Sequence, residues 1–261
     1  MEALTFPLDA RTWFQRWEAM QTCYVPQRVY RFDLMLYLAG LDPDRAVHIL
    51  DLGCGAGSLT WRALHIYPQA HVVAVDTGPV LLAMARALRP DAADRVTFVQ
   101  ADLRDRDWWA PYDEAFDMVI SATALHWLRA AHLTQVYERI YDVLRPGGIF
   151  LNSDHVASDE PRWQEAYRRL LERQQAAAFR ATGADTWDGF WQALAAAWPM
   201  EAGEMPRGAD DVWEGSDDGE TESTHLAALA AAGFHRITMH WRNLGDAVLS
   251  AEKPARSLFA R

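Results

Sequence analysis

The chain has 261 residues, half of them apolar, which suffices for one large domain or for one domain with an insertion. Its formal net charge of −11 argues against a nucleic-acid partner, because phosphate binding needs clustered lysine and arginine side chains. The two cysteines, Cys23 and Cys54, lack metal-ligand spacing, so we expect no disulfide framework, no bound metal and a reducing compartment.

The N-terminal segment is predicted to be helical. Residues 1–14 lack the basic stretch and the long apolar core of a signal peptide. No apolar run in the chain approaches the roughly 20 residues that a membrane span needs. The pattern over residues 9–40 predicts two helices, and we assign residues 1–46 to an N-terminal helical segment. Because the chain shows neither a signal peptide nor a membrane span, we expect a cytoplasmic protein without a membrane partner.

Short apolar runs alternate with helical patterns from residue 47 to residue 154. The apolar runs predict five strands, at 47–52, 71–76, 96–102, 116–121 and 149–154. The intervening patterns predict helices at 58–66, 79–88 and 130–144. Such an alternation is typical of a parallel sheet with helices on both faces.

A helical insertion is predicted after the fifth strand. Aromatic residues recur at helical spacing in two stretches between residues 158 and 198. We assign residues 158–200 to an inserted lid that shapes specificity. Residues 201–223 carry nine carboxylates against one arginine, so we predict an acidic flexible loop that proteases cut first.

The C-terminal part returns to the sheet. A helix is predicted over 225–232, followed by strands at 236–241 and 247–252. The predicted core therefore combines residues 47–157 with residues 224–261. It is an α/β fold with seven strands, mostly parallel and doubly wound.

A glycine-rich turn joins the first predicted strand to the first core helix, in ILDLGCGAGSLTW at residues 49–61. Gly53, Gly55 and Gly57 alternate, and Ser58 stands where a dinucleotide fingerprint sets its third small residue. Asp51, two residues before the first glycine, would repel phosphates. The turn therefore favours a cationic or ammonium-bearing ligand without a pyrophosphate.

Residues 49–154 resemble the core of the class I S-adenosylmethionine-dependent methyltransferases in several motifs that occur in register. DLGCGAG resembles the glycine-rich first motif, VVAVD the second strand, and QADL the segment after the third strand. FDMVISATALHWL resembles the fourth strand with its loop, and LRPGG resembles the turn before the fifth strand. The resemblance implies a Rossmann-like sheet and S-adenosyl-L-methionine as the cofactor.

The resemblance also implies which residues bind that cofactor. Asp76 would accept hydrogen bonds from the ribose hydroxyls, and Asp102 would meet the adenine amino group. Tyr24 and Arg28 of the N-terminal segment are candidates to close over the cofactor. The predicted cofactor-binding set is Asp51, Gly53, Cys54, Gly55, Gly57, Asp76, Thr77, Ala101, Asp102, Leu103, Ser121 and His126.

The loops after strands four and five carry the candidate catalytic residues. Ser121 begins SATALHW, where family members that methylate amides or nucleobase amines carry (Asp/Asn)-Pro-Pro-(Tyr/Phe). This difference favours a small-molecule acceptor. His126, Trp127, Asp154 and His155 are predicted to line a substrate cavity. His126, Asp154 and His155 are the candidates for substrate contacts or bases, the alternative being that the histidines are structural.

Two other classes of protein stay open at this stage. One is a methyltransferase-like protein that binds the cofactor as a regulator or scaffold, without turnover. The other is a nicotinamide-dependent enzyme, which the missing third small residue disfavours. Titration with the cofactor together with an assay of turnover would separate these classes. The expected partner is a small-molecule substrate, and the expected state is a monomer or a homodimer.

Overall fold

The computed structural model describes residues 4–206 and 214–256. Its strands are β1 (His48–Leu52), β2 (His71–Asp76), β3 (Val96–Gln100), β4 (Phe116–Ala122), β5 (Leu144–His155), β6 (His235–Asn243) and β7 (Asp246–Glu252). They form one seven-stranded sheet in the order β3-β2-β1-β4-β5-β7-β6. Strands β1 to β5 are parallel, and β7 pairs antiparallel with both β5 and β6. The predicted seven-stranded, mostly parallel Rossmann-like sheet is confirmed.

Eight α-helices flank this sheet in the described part of the chain. They are α1 (Ala10–Tyr24), α2 (Arg28–Leu38), α3 (Ser58–Ile66), α4 (Pro79–Leu88), α5 (Ala130–Val143), α6 (Pro161–Thr182), α7 (Trp187–Ala197) and α8 (Glu222–Ala231). None of the described helices is long and apolar enough to cross a membrane.

Local chemistry explains where several helices begin. The side chains of Asp9, Thr186 and Thr221 accept hydrogen bonds from backbone N–H groups in the first turns of α1, α7 and α8. Pro79 occupies the first turn of α4, where backbone N–H groups make no hydrogen bond within the helix, so its missing N–H costs nothing. These residues set the helix starts without tertiary contacts.

Two apolar layers cover the two faces of the sheet. Helices α2, α3 and α4 pack on one face with buried residues such as Leu36, Leu64 and Leu82. Helices α5 and α8 pack on the other face, where Tyr137 and Leu229 are fully buried. A third cluster joins α1, α4 and α7 beyond the sheet edge. Both faces are therefore covered, which explains why the successive residues Ile49 and Leu50 of β1 are both apolar and buried.

Strand β5 is longer than the predicted strand and includes the RPGG turn. Leu144 pairs with Phe116 and Ile149 pairs with Met118, so the extra residues form a bulge between two paired segments. Gly147 has φ +83°, a left-handed conformation that glycine adopts without steric cost. The turn is present as predicted, but it lies inside the strand.

His225 on α8 gives the first testable prediction, which concerns stability. Its ring is fully buried, its Nδ1 lies 2.6 Å from the Tyr137 hydroxyl, and burial lowers its pKa to about 4. The unfolded chain binds this proton near pH 6.5, so stability is lost as the pH falls from 6.5 towards 4. At about 1.4 kcal/mol per pH unit, the full loss is about 3 kcal/mol.

Urea denaturation of the wild type and of His225→Gln at pH 7 and pH 5 measures this effect. The variant should lose less stability than the wild type over this range, by about 2 kcal/mol. His71→Gln, at an exposed position on the opposite edge of the sheet, is the control and should follow the wild type. The same slope in His225→Gln and the wild type would contradict the assignment.

Candidate functional site

A cavity of about 570 Å³ opens at the carboxyl ends of β1 to β5. This volume lies within the range of roughly 300–1,000 Å³ that small-molecule sites occupy. Parallel strands bring their carboxyl ends to one edge of the sheet, so residues distant in sequence meet here. The predicted residues in its wall are Asp51, Gly53, Cys54, Gly55, Asp76, Thr77, Ala101, Asp102, Leu103, His126 and His155.

Helices outside the sheet form the opposite wall of the cavity. Trp17 and Tyr24 of α1 and Arg28 of α2 line it, as do residues of α6 and α7. The ring of Tyr24 packs on Phe179 of α6, with ring centroids 4.9 Å apart. Gln175 Nε2 donates a hydrogen bond to the Tyr24 carbonyl at 3.0 Å. The N-terminal segment and the inserted helices therefore contact each other across the mouth.

The glycine loop brings bare backbone to the cavity. Gly53 and Gly55 have φ angles of +69° and +54°, in the left-handed region that other residues adopt only with strain. A Cβ atom on Gly53 would lie 2.3 Å from the Cβ of Ala124, so no side chain fits there. The N–H of Gly55 donates to Asp76 Oδ2 at 2.7 Å, which ties the loop to the end of β2.

Two carboxylates lie beneath this loop. Asp51 accepts a hydrogen bond from Thr60 Oγ1 at 2.5 Å, and burial, with the charge of Asp76, raises its pKa to about 7. Asp76 also accepts from the N–H of Gly78 at 2.7 Å, and burial raises its pKa. A cationic ligand would favour the ionised form of both groups. The pocket therefore suits a ligand with positive charge.

Asp102 follows β3 and is already paired. Its Oδ1 accepts hydrogen bonds from the backbone N–H and from Nε of Arg104, at 2.8 and 3.0 Å. Burial acts to raise the pKa of Asp102, but the hydrogen bonds and charge of Arg104 lower it overall. The carboxylate is therefore ionised at neutral pH. Its predicted contact with adenine stays a prediction.

Residues 214–220, here called the acidic strap, cover the loop after β4. The N–H groups of Glu214 and Gly215 donate to the Trp127 carbonyl at 3.1 and 2.7 Å. The Glu214 carboxylate binds Arg104, and the Glu220 carboxylate accepts from the N–H of Ala130 at 2.8 Å. These residues belong to the acidic loop predicted over 201–223. Residues 207–213 of that loop lie outside the described part, and its mobility stays a prediction.

His126, in the wall of the cavity, forms a buried pair with Asp154, which lies beneath the wall. His126 Nδ1 lies 2.7 Å from Asp154 Oδ1, and Asp154 Oδ2 accepts from the N–H of Leu125 at 2.8 Å. Burial lowers the pKa of His126 and outweighs the opposing charge of Asp154. The imidazole is therefore neutral at pH 7, with its proton on Nδ1 facing the carboxylate. Nε2 is left as a proton acceptor.

His155 occupies a different electrostatic environment. Its Nδ1 lies 2.9 Å from Asp246 Oδ1, which also pairs with Arg31 Nη1 at 3.0 Å. Burial acts to lower the pKa of His155, but the hydrogen bond to Asp246 and nearby carboxylate charge raise it overall. The two ring centroids of His126 and His155 are 4.8 Å apart. His126 is therefore the histidine whose neutral form is favoured, and its role as a base stays a prediction.

Three predicted site residues lie outside the cavity wall. Asp154 is 1% exposed and has both oxygens bonded to the loop after β4, so the expectation that it lines the cavity is wrong. Ser121 is fully buried and donates to the Leu52 carbonyl at 2.9 Å. Gly57 precedes α3, where a Cβ atom would meet the Trp61 ring. Asp154 contacts His126, Ser121 contacts the backbone of β1, and Gly57 contacts Trp61, so any role of these three residues in the site stays a prediction.

Asp246 and Arg31 are residues that sequence reasoning missed. Asp246 begins β7 directly opposite His155 in the antiparallel register, and Arg31 reaches it from α2. Arg31 Nε also donates to Ser153 Oγ at 2.7 Å. The only signal for Asp246 in the sequence is an aspartate at the end of a strand. That signal does not identify His155 as its partner unless the pairing of β5 with β7 is known.

Comparison with known proteins agrees with this geometry. A family model described as a methyltransferase domain matches residues 49–148. The trans-aconitate 2-methyltransferases of Escherichia fergusonii and Shigella flexneri serotype 5b are 29% and 28% identical to the chain over 138 residues. The match covers 50% of this chain and 51% of each relative, so the chain aligns with about half the length of these proteins.

Solved structures of low sequence identity share the fold. A putative S-adenosyl-L-methionine-dependent methyltransferase from Methanococcus maripaludis has a TM-score of 0.57 at 16% identity, over 99% of this chain and 100% of that one. Human N-acetylserotonin methyltransferase, solved in complex with SAM, has a TM-score of 0.53 at 19% identity, over 97% and 64%. These structures show the fold, and the family model agrees with the motifs that a methyltransferase domain spans residues 49–148.

Proposed function

We propose that the chain transfers a methyl group from S-adenosyl-L-methionine to a small-molecule acceptor, because residues 49–148 match the model of a methyltransferase domain and carry motifs that resemble the class I S-adenosylmethionine-dependent type. One observation carries the proposal. A neutral histidine oriented by a buried carboxylate, His126 on Asp154, shares one cavity wall with the acids at the ends of β1, β2 and β3.

The residues of the cavity fit this cofactor. Gly53 and Gly55 leave room for its methionine part, and Asp51 would hold its ammonium group. Asp76 would accept the ribose hydroxyls. Arg28 is buried and its Nη1 binds Glu18 at 2.8 Å, but its Nε has no hydrogen-bond partner within residues 4–206 and 214–256, so this N–H group would bind the methionine carboxylate. The wall thus offers an acceptor or donor for each polar part of the ligand.

The proposed role of the protein is to align the acceptor and to take its proton. When bound, the cofactor supplies an electrophilic methyl group on a positively charged sulfur. His126 Nε2 would accept the proton of an acceptor hydroxyl or amine, and Asp154 would stabilise the imidazolium that results. The helices α6 and α7 would exclude water as a lid over residues of the wall such as Leu171 and Trp187. An acceptor that is already ionised would need alignment alone.

The acceptor is to be sought among small molecules. The relatives named above are trans-aconitate 2-methyltransferases, so trans-aconitate is the first acceptor to test. Titration with S-adenosyl-L-methionine, followed by a screen of metabolite extracts with labelled methyl donor, tests the function. Tight binding without a labelled product would favour a regulatory or scaffold protein. The cytoplasmic location and the oligomeric state stay predictions.

Asp76→Ala is expected to weaken the binding of S-adenosylhomocysteine by roughly 1–3 kcal/mol, as calorimetry would measure. The reason is the loss of a carboxyl acceptor for the ribose hydroxyls and of the bond to the Gly55 N–H. Asp94→Ala removes an exposed carboxylate before β3, at the opposite edge of the sheet, and should leave the affinity unchanged. Unchanged affinity in Asp76→Ala would overturn the ribose assignment.

A further inference from the structure

The wall around His126 and His155 includes side chains from two segments outside the sheet. A Cβ atom on Gly219 of the acidic strap would lie 3.1 Å from His126 Cβ and 2.4 Å from the His155 carbonyl oxygen. The strap therefore packs directly on both histidines. Facing it are residues of α6, including Arg168 and Glu172. We call this part of the cavity the acceptor end.

Carboxylates outnumber cations at the acceptor end. Asp217, Asp218 and Glu172 line the wall, together with one arginine, Arg168. That arginine is already compensated, because its Nη2 binds Asp218 and its Nη1 binds Glu165 at 2.8 Å. His155 is likewise held by Asp246, as described above. Among the described residues of this wall, each cation already has an acidic partner. The remaining negative charge would therefore repel an incoming anion.

Asp217 is, with Glu172, one of the two carboxylates of the acceptor end that stay available to a ligand. Within the described ranges, its side chain has no hydrogen bond or ion pair, whereas neighbouring Asp218 is bound to Arg168. Its charge also reaches His126, where it opposes the effect of burial on the pKa of the imidazole. Asp217 therefore faces the same space as the proposed base.

An aromatic ring borders the same space. Trp127 lines the cavity, and its ring centroid is 4.5 Å from that of His126. The face of an indole ring attracts cations, and a carboxylate beside it adds direct charge pairing. The combination of a free carboxylate, an indole ring and compensated cations suits an ammonium group and disfavours a carboxylate group.

We propose that the methyl acceptor is a small molecule carrying a positively charged amine, which Asp217 and Trp127 receive, and that polycarboxylates such as trans-aconitate are poor acceptors. This inference rests on the proposed function. It concerns the charge of the acceptor and applies whether oxygen, nitrogen or carbon receives the methyl group. It makes the acidic strap a determinant of specificity.

The first experiment sorts methylated products by charge. The full chain is incubated with methyl-labelled S-adenosyl-L-methionine and a metabolite extract, and the products are separated at pH 7 on cation- and anion-exchange resins. Labelled compounds that bind the cation exchanger and are absent from a reaction without enzyme, which accounts for the cationic donor itself, are expected. Label on the anion exchanger, or labelling of trans-aconitate in a parallel reaction at a comparable rate, would overturn the inference. Cofactor binding without any labelled product would instead contradict the proposed function and, with it, this inference.

The second experiment tests Asp217 itself. With the labelled cationic fraction as acceptor, Asp217→Asn should lower the rate at limiting acceptor roughly tenfold and leave S-adenosylhomocysteine affinity unchanged. Asp44→Asn makes the same charge change before β1, at the opposite sheet edge, and should behave as the wild type. Added salt should weaken the wild type more than Asp217→Asn. Equal rates in wild type and Asp217→Asn would remove Asp217 from acceptor recognition.

Discussion

His126→Ala is expected to lower turnover by about 10²–10⁴-fold while S-adenosylhomocysteine affinity barely changes. The imidazole is neutral because of burial, and its Nδ1 is engaged by Asp154 at 2.7 Å, so Nε2 is the basic nitrogen in the cavity wall. Alanine removes that nitrogen and leaves the cofactor-binding acids untouched. A general base is worth this factor only when the acceptor keeps its proton at neutral pH.

The measurement is turnover per folded molecule, together with its pH dependence. In the wild type, the rate should rise with pH through the lowered pKa of His126, below 6.5, because only the neutral ring accepts a proton. His126→Ala should lose this rise of the rate with pH. His71→Ala changes an exposed histidine at the amino ends of the strands, away from the cavity, and should retain the rise. Reduced thermal stability with nearly intact turnover per folded molecule would make His126 a structural residue.

Gly55→Val is expected to weaken S-adenosylhomocysteine binding by about 100-fold or more, which corresponds to about 3 kcal/mol. The backbone of Gly55 has φ +54°, and a Cβ atom there would lie 3.5 Å from the Trp17 ring, inside the cavity wall. A branched side chain would therefore occupy the space of the ligand. It would also strain a loop that donates its N–H to Asp76.

Gly183→Val separates ligand exclusion from backbone strain. Gly183 follows α6 with φ +66°, and a Cβ atom there would meet nothing within 4 Å. Both substitutions carry the cost of a left-handed backbone, about 1–2 kcal/mol. Circular dichroism should show both variants folded, and calorimetry should show a loss of affinity for Gly55→Val alone. Equal affinities in the two variants would place the cofactor elsewhere.

Local sequence patterns predicted the elements of the core. The helices predicted at 58–66 and 79–88 coincide with α3 and α4. Gly57 directly precedes α3, Pro79 is the first residue of α4, and apolar residues recur at helical spacing through both helices. The strands β2 and β4 likewise lie within a residue of their predicted limits. Strand β5 starts earlier than predicted, since its bulge depends on pairing with β4.

The site was predicted unevenly for the same reason. The acids at the strand ends belong to short motifs, and all three line the cavity. The roles of His126, Asp154 and His155 were left open, because those roles depend on partners from other segments. Asp154 is beneath the wall only because the loop after β4 folds over it. The acidic strap, predicted from composition as a loop, packs on that same loop through its backbone.

The sequence by itself determined the succession of strand, glycine turn and helix, and the acid at the end of each of the first three strands. Those features depend on periodicity and on conformations that only nearby residues influence. The tertiary structure alone decided which histidine is neutral, which carboxylates stay free, and how the strap joins the cofactor side to the acceptor side. Burial and charge pairing set these properties, and both arise from contacts such as Arg104 with Glu214, 110 residues apart in the chain.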